Sequence, residues 1–258
     1  EVIESNNTQA VSSSCAAGGA LQDVVICLDN SGSVSSFVSI EIEGAIKAIE
    51  NPNIIPQDGS VRLTVTTSGR AYYYIGNGSL PEFPARVLTP ESTMDLVTSM
   101  KKWKDYGGID YLATGARNMS LYLKTLSPAS SSKTVILVGD GYWEGGGTAT
   151  LSRVAETVAN GVNRIDLIGV GNYTMPQLLD NAWPKPANTP GGGNVSVARS
   201  SGEIAGAMAQ SLGNAVRLTD LSVGGLRIED AGQGRPVSLL ARVGNGGRMS
   251  LASTLRFY

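Results

Sequence analysis

Continuous apolar runs alternate with stripes of apolar residues at helical spacing along most of this chain. Val24-Val25-Ile26-Cys27-Leu28, Thr134-Val135-Ile136-Leu137-Val138 and the stretch Arg164 to Gly171 are short and almost wholly apolar. That pattern suits strands covered on both faces, as in a parallel sheet. Val61-Arg62-Leu63-Thr64-Val65-Thr66 alternates β-formers with polar residues and predicts a further strand. Between these runs the period changes. Glu91 to Trp103, preceded by Thr89-Pro90, reads as a helix. Leu112, Ala116, Met119, Leu123 and Leu126 share one helical face, as do Leu151, Val154, Ala155 and Val158 in the helix predicted over Leu151 to Asn160. Ile204, Ala205, Met208 and Leu212 mark a closing helix that includes Gly202 to Ser211. Strand and helix alternating from Leu21 to Val216 predict an α/β fold, a doubly wound, mostly parallel sheet.

The pattern changes again after Val216. Short alternating stretches follow: Leu221-Ser222-Val223, Leu226-Arg227-Ile228, Val237 to Val243, and Leu255-Arg256-Phe257-Tyr258. Gly244-Asn245-Gly246-Gly247 is a hairpin type of signal between two of them. Three units result: an extended leader over 1–20, an α/β domain over 21–216, and a partial all-β module over 217–258. The leader starts at Glu1 and is polar and Ser/Asn-rich, as expected of a mature chain or fragment whose targeting segment has been removed.

Composition removes whole classes of function. The chain has 258 residues, 41% of them apolar, enough to bury a full core. Its net charge of −2 argues against nucleic acid, which calls for a concentrated basic surface. No apolar run nears the roughly 18 residues of a membrane span. Histidine is absent, so Ser-His-Asp and Cys-His nucleophiles and His–zinc sites are excluded. A charged fraction of 16% beside abundant Ser, Thr, Asn and Gly is common on secreted microbial proteins. Of the two cysteines, Cys27 reads either as a free thiol packed like a small hydrophobe or as the partner of Cys15 in a disulfide. Asn-x-Ser/Thr sites at Asn6, Asn77, Asn118, Asn172 and Asn194 permit glycosylation in a suitable pathway.

The candidate chemistry lies where the first apolar run ends. Asp29-Asn30-Ser31-Gly32-Ser33 delivers one carboxylate and two hydroxyls at alternate positions onto a strand-to-helix turn. The C-terminal edge of an open α/β sheet is where such folds bind ligands. Oxygen donors of this kind suit a hard divalent cation that keeps open or water-filled positions. The competing reading is a turn in which Ser33 merely caps the next helix. A second run ends in Gly139-Asp140-Gly141, and Tyr106-Gly107-Gly108-Ile109-Asp110 forms a glycine-bearing loop before a helix.

Together these residues resemble the von Willebrand factor A (vWA) family. Its metal-ion-dependent adhesion site (MIDAS) carries Asp-x-Ser-x-Ser, a Gly-Gly-Thr loop and a strand ending in an Asp-Gly turn. The resemblance implies a metal set of Asp29, Ser31, Ser33 and Asp140, with Mg²⁺, Mn²⁺ or Ca²⁺ as the cation. Here no Thr follows the glycines, and aligning the helix behind them puts Asp110 at that position, with Ile109 and Thr114 as the alternatives. The segments Ala45 to Asn53 and Gly191 to Ser196 resemble an uncharacterised bacterial branch of the family. The tail from Asp220 to Tyr258 resembles the start of CARDB, an immunoglobulin-like module of bacterial and archaeal surface proteins. About three of the roughly seven strands of such a sandwich are present, leaving an open edge.

Two loops are expected to border the site. Tyr142-Trp143-Glu144 follows Asp140 directly and forms a candidate partner-binding rim, and Asn181 to Asn194 reads as a long loop nearby. Trp103 reads as packing. The functional expectation is an extracellular or cell-surface adhesion or protein-binding module, bacterial or archaeal, capturing an acidic group of a protein partner. The alternative is a structural subunit of a filament or stalk, a homopolymer assembled by β-strand complementation between neighbouring subunits. Catalysis is not expected. Asp29 superficially resembles the haloacid-dehalogenase nucleophile, but Ser31 replaces that family's second Asp, and no phosphate-binding glycine loop follows the strand.

Overall fold

The computed structural model describes residues 21–34, 36–77, 80–103, 111–140, 147–170, 192–215, 221–229 and 238–245. The sheet has six strands in the order β3-β2-β1-β4-β5-β6. They are β1 (Gln22–Leu28), β2 (Val61–Thr67), β3 (Phe83–Val87), β4 (Ser132–Gly139), β5 (Arg164–Val170) and β6 (Gly192–Ala198). All pairs are parallel except β2–β3. Six helices accompany them among the described residues: α1 (Val38–Glu50), α2 (Ser68–Asn77), α3 (Pro90–Lys101), α4 (Leu112–Lys124), α5 (Gly147–Ala159) and α6 (Ser201–Ala215).

The continuous apolar runs are central strands because both their faces are covered. Val24, Ile26, Leu28, Ile136, Val138, Ile168 and Val170 meet Ala45, Ile49, Leu96, Met100, Ile204 and Met208 of α1, α3 and α6. Val25, Cys27, Val135, Leu137, Ile165 and Leu167 meet Leu112, Ala116, Met119, Leu123 and Val154 of α4 and α5. The α/β, doubly wound expectation therefore holds. Three elements had no clear periodic signal. β3 is a five-residue edge strand interrupted by Pro84, α2 is built on three consecutive tyrosines, and β6 opens on Gly192-Gly193. The long loop expected over Asn181 to Asn194 is corrected at its end, since Gly192 to Asn194 pair with β5. Their glycines masked a strand whose backbone runs too close to Asp166 for any β-carbon on Gly193.

Trp103 does pack as expected, edge-on to Phe83 at 5.2 Å between ring centroids. At the end of the sheet away from the Asp29 turn, Arg62 grips the buried Asp23 through two hydrogen bonds of 2.6 and 3.0 Å. Cys27 is a free, buried thiol rather than half of a disulfide. The sequon at Asn118 is also corrected: its side chain is buried and donates to the carbonyls of Ala71 and Tyr72, which leaves no room for a glycan.

Beyond α6 the described tail is one antiparallel pair, β7 (Leu221–Glu229) with β8 (Ser238–Asn245). The two short stretches expected over 221–228 are one strand, continuous through a register shift between Gly224 and Arg227. A glycine pair accommodates such a bulge without ending the strand. Gly244 and Asn245, expected in a turn, belong to β8. The stretch Leu255 to Tyr258 and the leader lie outside the described residues, and no described helix is long and apolar enough to cross a membrane.

Candidate metal centre

β1 and β4 are neighbours with Leu28 opposite Val138, so the chain leaves both strands at the same edge of the sheet. The Asp29 amide donates to the Val138 carbonyl at 2.8 Å, extending the ladder one residue past the strand. That bond sets Asp29 beside Gly139 and brings Asp140 to the adjoining strand end. Asp29 is wholly buried and Asp140 nearly so. Gly139 makes the arrangement spatially feasible. A β-carbon there would lie 2.7 Å from Asp29 Cβ, 2.8 Å from Asp29 Oδ2 and 2.7 Å from Leu112 Cδ1.

The turn after Asp29 folds its polar groups together. The Ser31 amide donates to Asp29 Oδ1 at 2.8 Å, and the hydroxyls of Ser31 and Ser33 are 2.9 Å apart. Ser33 sits in a short 3-10 turn, Gly32–Val34, and not at a helix cap. The residue capping α1 is Phe37, with no side-chain cap bond. The capping alternative for Ser33 is thereby set aside. The structure brings together Asp29, Ser31 and Ser33, with Asp140 on the adjoining strand end.

Asp110 lies outside the described residues, as do Ile109, Tyr142, Trp143 and Glu144. Thr114 is half-buried in the first turn of α4. Among the described residues no three His, Cys, Asp or Glu side chains are grouped as a metal site. The donor set is instead two carboxylates with two hydroxyls, oxygen throughout. This chemistry fits a small hard divalent ion, and the missing β-carbon at Gly139 lets the Asp29 carboxylate sit against the adjoining strand end.

Three residues whose roles sequence reasoning missed brace the elements around the turn. Asn30 is nearly buried, and its Oδ1 accepts from Ser68 Oγ and the Gly69 amide, both at 3.2 Å. It ties the Asp29 turn to the N-terminus of α2. Glu82 accepts from Thr66 Oγ1 (2.7 Å), the Thr67 amide (3.0 Å) and Thr67 Oγ1 (2.6 Å) at the end of β2. Burial pushes the Glu82 carboxyl above its ordinary range, against the opposing pull of these bonds. Tyr111, directly before Leu112, stacks on Tyr72 at 4.7 Å. Only Asn30 carried a signal, as the amide inside the Asp-x-Ser-x-Ser pattern. The Cys27 thiol reports the field at this edge: burial pushes it well up, and the charges of Glu82, Asp29 and Glu41 add to the shift.

No family model matches the chain, and no curated protein does. Solved structures are similar in fold. The pilus adhesin SpaC from Lactobacillus rhamnosus GG aligns with a TM-score of 0.56 at 13% identity, over 81% of this chain and 33% of that one. Proximal thread matrix protein 1 from the mussel byssus, with a zinc-occupied MIDAS motif, aligns at 0.51 and 17% identity, over 75% and 46%. A point mutant of the PilB minor pilin from Streptococcus sanguinis aligns at 0.50 and 10% identity, over 74% and 60%. This chain thus spans between a third and three-fifths of the length of these neighbours. At such identities the likeness is one of fold, a vWA-like α/β domain.

Proposed function

We propose that the chain is a non-catalytic, divalent-cation-dependent adhesion or protein-binding module of the cell surface. Asp29, Ser31, Ser33 and Asp140 would hold the ion, with Asp110 as a fifth contributor. When bound, the cation supplies a Lewis-acidic position that takes a carboxylate oxygen from a partner. The residues of this chain supply the rest: Gly139, lacking a β-carbon, makes room for the Asp29 side chain, Asn30 fixes the turn against α2, and the Ser31 and Ser33 hydroxyls lie together in the same turn. The observation carrying this reading is the convergence of oxygen donors at the sheet edge where α/β folds bind ligands: Asp29 Oδ1 held by the Ser31 amide, the Ser31 and Ser33 hydroxyls 2.9 Å apart, and Asp140 on the adjoining strand end. Similarity in fold to a pilus adhesin and to a protein with a zinc-occupied MIDAS motif supports it. Isothermal titration of the chain with Mg²⁺, Mn²⁺ and Ca²⁺ tests it. Saturable uptake by the wild type and none by Asp29→Ala is the expected result, and equal uptake by both proteins refutes the site.

A structural role in a surface filament is the second reading, favoured by the β7–β8 pair. Among the described residues β7 and β8 form a two-stranded sheet, whereas a sandwich needs two facing sheets. In this reading residues 217–258 begin a CARDB-like module, completed by further strands or by the 1–20 leader of a neighbouring copy. Similarity in fold to a minor pilin supports it. Sedimentation of the full chain against a variant lacking residues 1–19 decides the leader's part. Assembly lost with an intact monomer supports donation, and unchanged assembly removes it.

A further inference from the structure

Helix α2 begins at the candidate cation turn and carries a surface that the site itself does not use. Asn30 holds its first turn through Ser68 and Gly69. Arg70 and Tyr73 follow at a spacing of three, which puts them on one face of the helix. Arg70 is exposed and Tyr73 is 47% exposed. The Arg70 Nε donates to the Leu80 carbonyl at 2.9 Å, which fixes the guanidinium and sets it beside Leu80, itself 55% exposed. Among the described residues Arg70 belongs to none of the ion pairs.

Behind this face the aromatic rings are braced. Tyr72 packs edge-on against Tyr73 at 5.0 Å and stacks on Tyr111 at 4.7 Å. Tyr111 adjoins Leu112, whose side chain shares the Gly139 clearance with Asp29. The helix carrying Arg70 and Tyr73 is thus tied to the candidate cation turn, directly through Asn30 and, by way of Tyr72 and Tyr111, to the start of α4.

We propose that Arg70, Tyr73 and Leu80, backed by Tyr72 and Tyr111, form a docking surface that selects an acidic, extended segment of a partner protein. The proposal rests on the cation-binding reading of the Asp29 turn and extends it to the partner's sequence. Charge complementarity chooses this occupant. The cation turn takes one carboxylate, and Arg70 offers a fixed fork of donors to a second. Tyrosine gives a large, rigid, amphipathic area at low entropic cost, suited to an apolar residue accompanying those carboxylates. A basic segment would meet the Arg70 charge and leave the cation turn unused.

A fluorescent peptide of repeated Asp-Leu-Glu, titrated with the full chain in Mg²⁺, tests the proposal against a matched Asn-Leu-Gln peptide. The wild type is expected to bind the acidic peptide only. Arg70→Gln and Tyr73→Ser should each weaken it about tenfold, the worth of one charge-assisted or aromatic contact. Arg70→Lys should retain part of the affinity. Mn²⁺ uptake by all three variants should equal that of the wild type. Unchanged peptide affinity in Arg70→Gln and Tyr73→Ser overturns the proposal, as does failure of the wild type in Mg²⁺ to prefer the acidic peptide when it does take up Mn²⁺. Absence of Mn²⁺ uptake by the wild type instead overturns the cation reading, and this proposal with it.

Discussion

The β-carbon that Gly139 lacks would stand 2.7 Å from the Asp29 β-carbon, on the adjoining strand end. Real side chains essentially never approach so closely, so the carboxylate and the glycine are a matched pair. Gly139→Ala should therefore displace Asp29 or Leu112. A stability loss of about 1–3 kcal/mol is expected, typical of overpacking in a filled interior. Urea unfolding measures it, and a parallel Mn²⁺ titration should show weakened uptake. Gly202→Ala, in the first turn of α6 where little surrounds the new methyl group, is the control: it should leave Mn²⁺ uptake unchanged and should not destabilise.

Removal of divalent ions provides a second test. Two buried carboxylates at adjoining strand ends repel each other without a cation between them. Mg²⁺ should raise the melting temperature of the wild type over its value in EDTA. At 100 times Kd the gain should approach about 2.7 kcal/mol. Asp29→Ala should melt at one temperature in both buffers. Identical melting of the wild type with and without Mg²⁺ would count against the site.

Much of this fold could be read from periodicity, because β1, β4 and β5 are covered on both sides and so are almost uniformly apolar. The helices α3, α4 and α6 show single apolar stripes for the complementary reason, each having one face on the sheet. The edge escaped notice. β3 is stabilised by pairing with β2 and by the Tyr122 hydroxyl on the Ala85 amide, a contact between residues far apart in sequence. The candidate site was legible in its first half, since Asp29, Ser31 and Ser33 are local in sequence. Glu82 and Tyr111 reach that edge only through tertiary packing, and no local pattern announces them.

Asn30 provides a third test. Its amide oxygen accepts two bonds that hold α2 against the Asp29 turn, so Asn30→Ala should cost about 1–2 kcal/mol by leaving the Gly69 amide and the Ser68 hydroxyl short of an acceptor. Cation uptake should also weaken, because the turn that presents Ser31 is no longer fixed. Asn30→Asp keeps an acceptor and should retain most of the stability. If Asn30→Ala takes up Mn²⁺ with unchanged affinity, the turn is held by other means.

Glu82 gives the molecule a pH dependence whose sign can be derived. Burial raises its folded-state pKa above the unfolded value, so in the interval between the two the native state binds more protons. Unfolding free energy contributed by this group is then fully present below the unfolded pKa and falls as pH rises through the raised folded value. This is opposite to the usual surface carboxylate. Glu82→Gln cannot titrate, so the stability difference between wild type and Glu82→Gln isolates the group. That difference should favour the wild type most at about pH 4 and narrow toward pH 7. Glu82→Ala, which removes the acceptor for Thr66, the Thr67 amide and the Thr67 hydroxyl together, should destabilise at every pH. Urea midpoints for the three proteins across that range suffice. A wild-type advantage that instead grows with pH would mean that the hydrogen bonds from Thr66 and Thr67 outweigh burial and hold the carboxylate ionised.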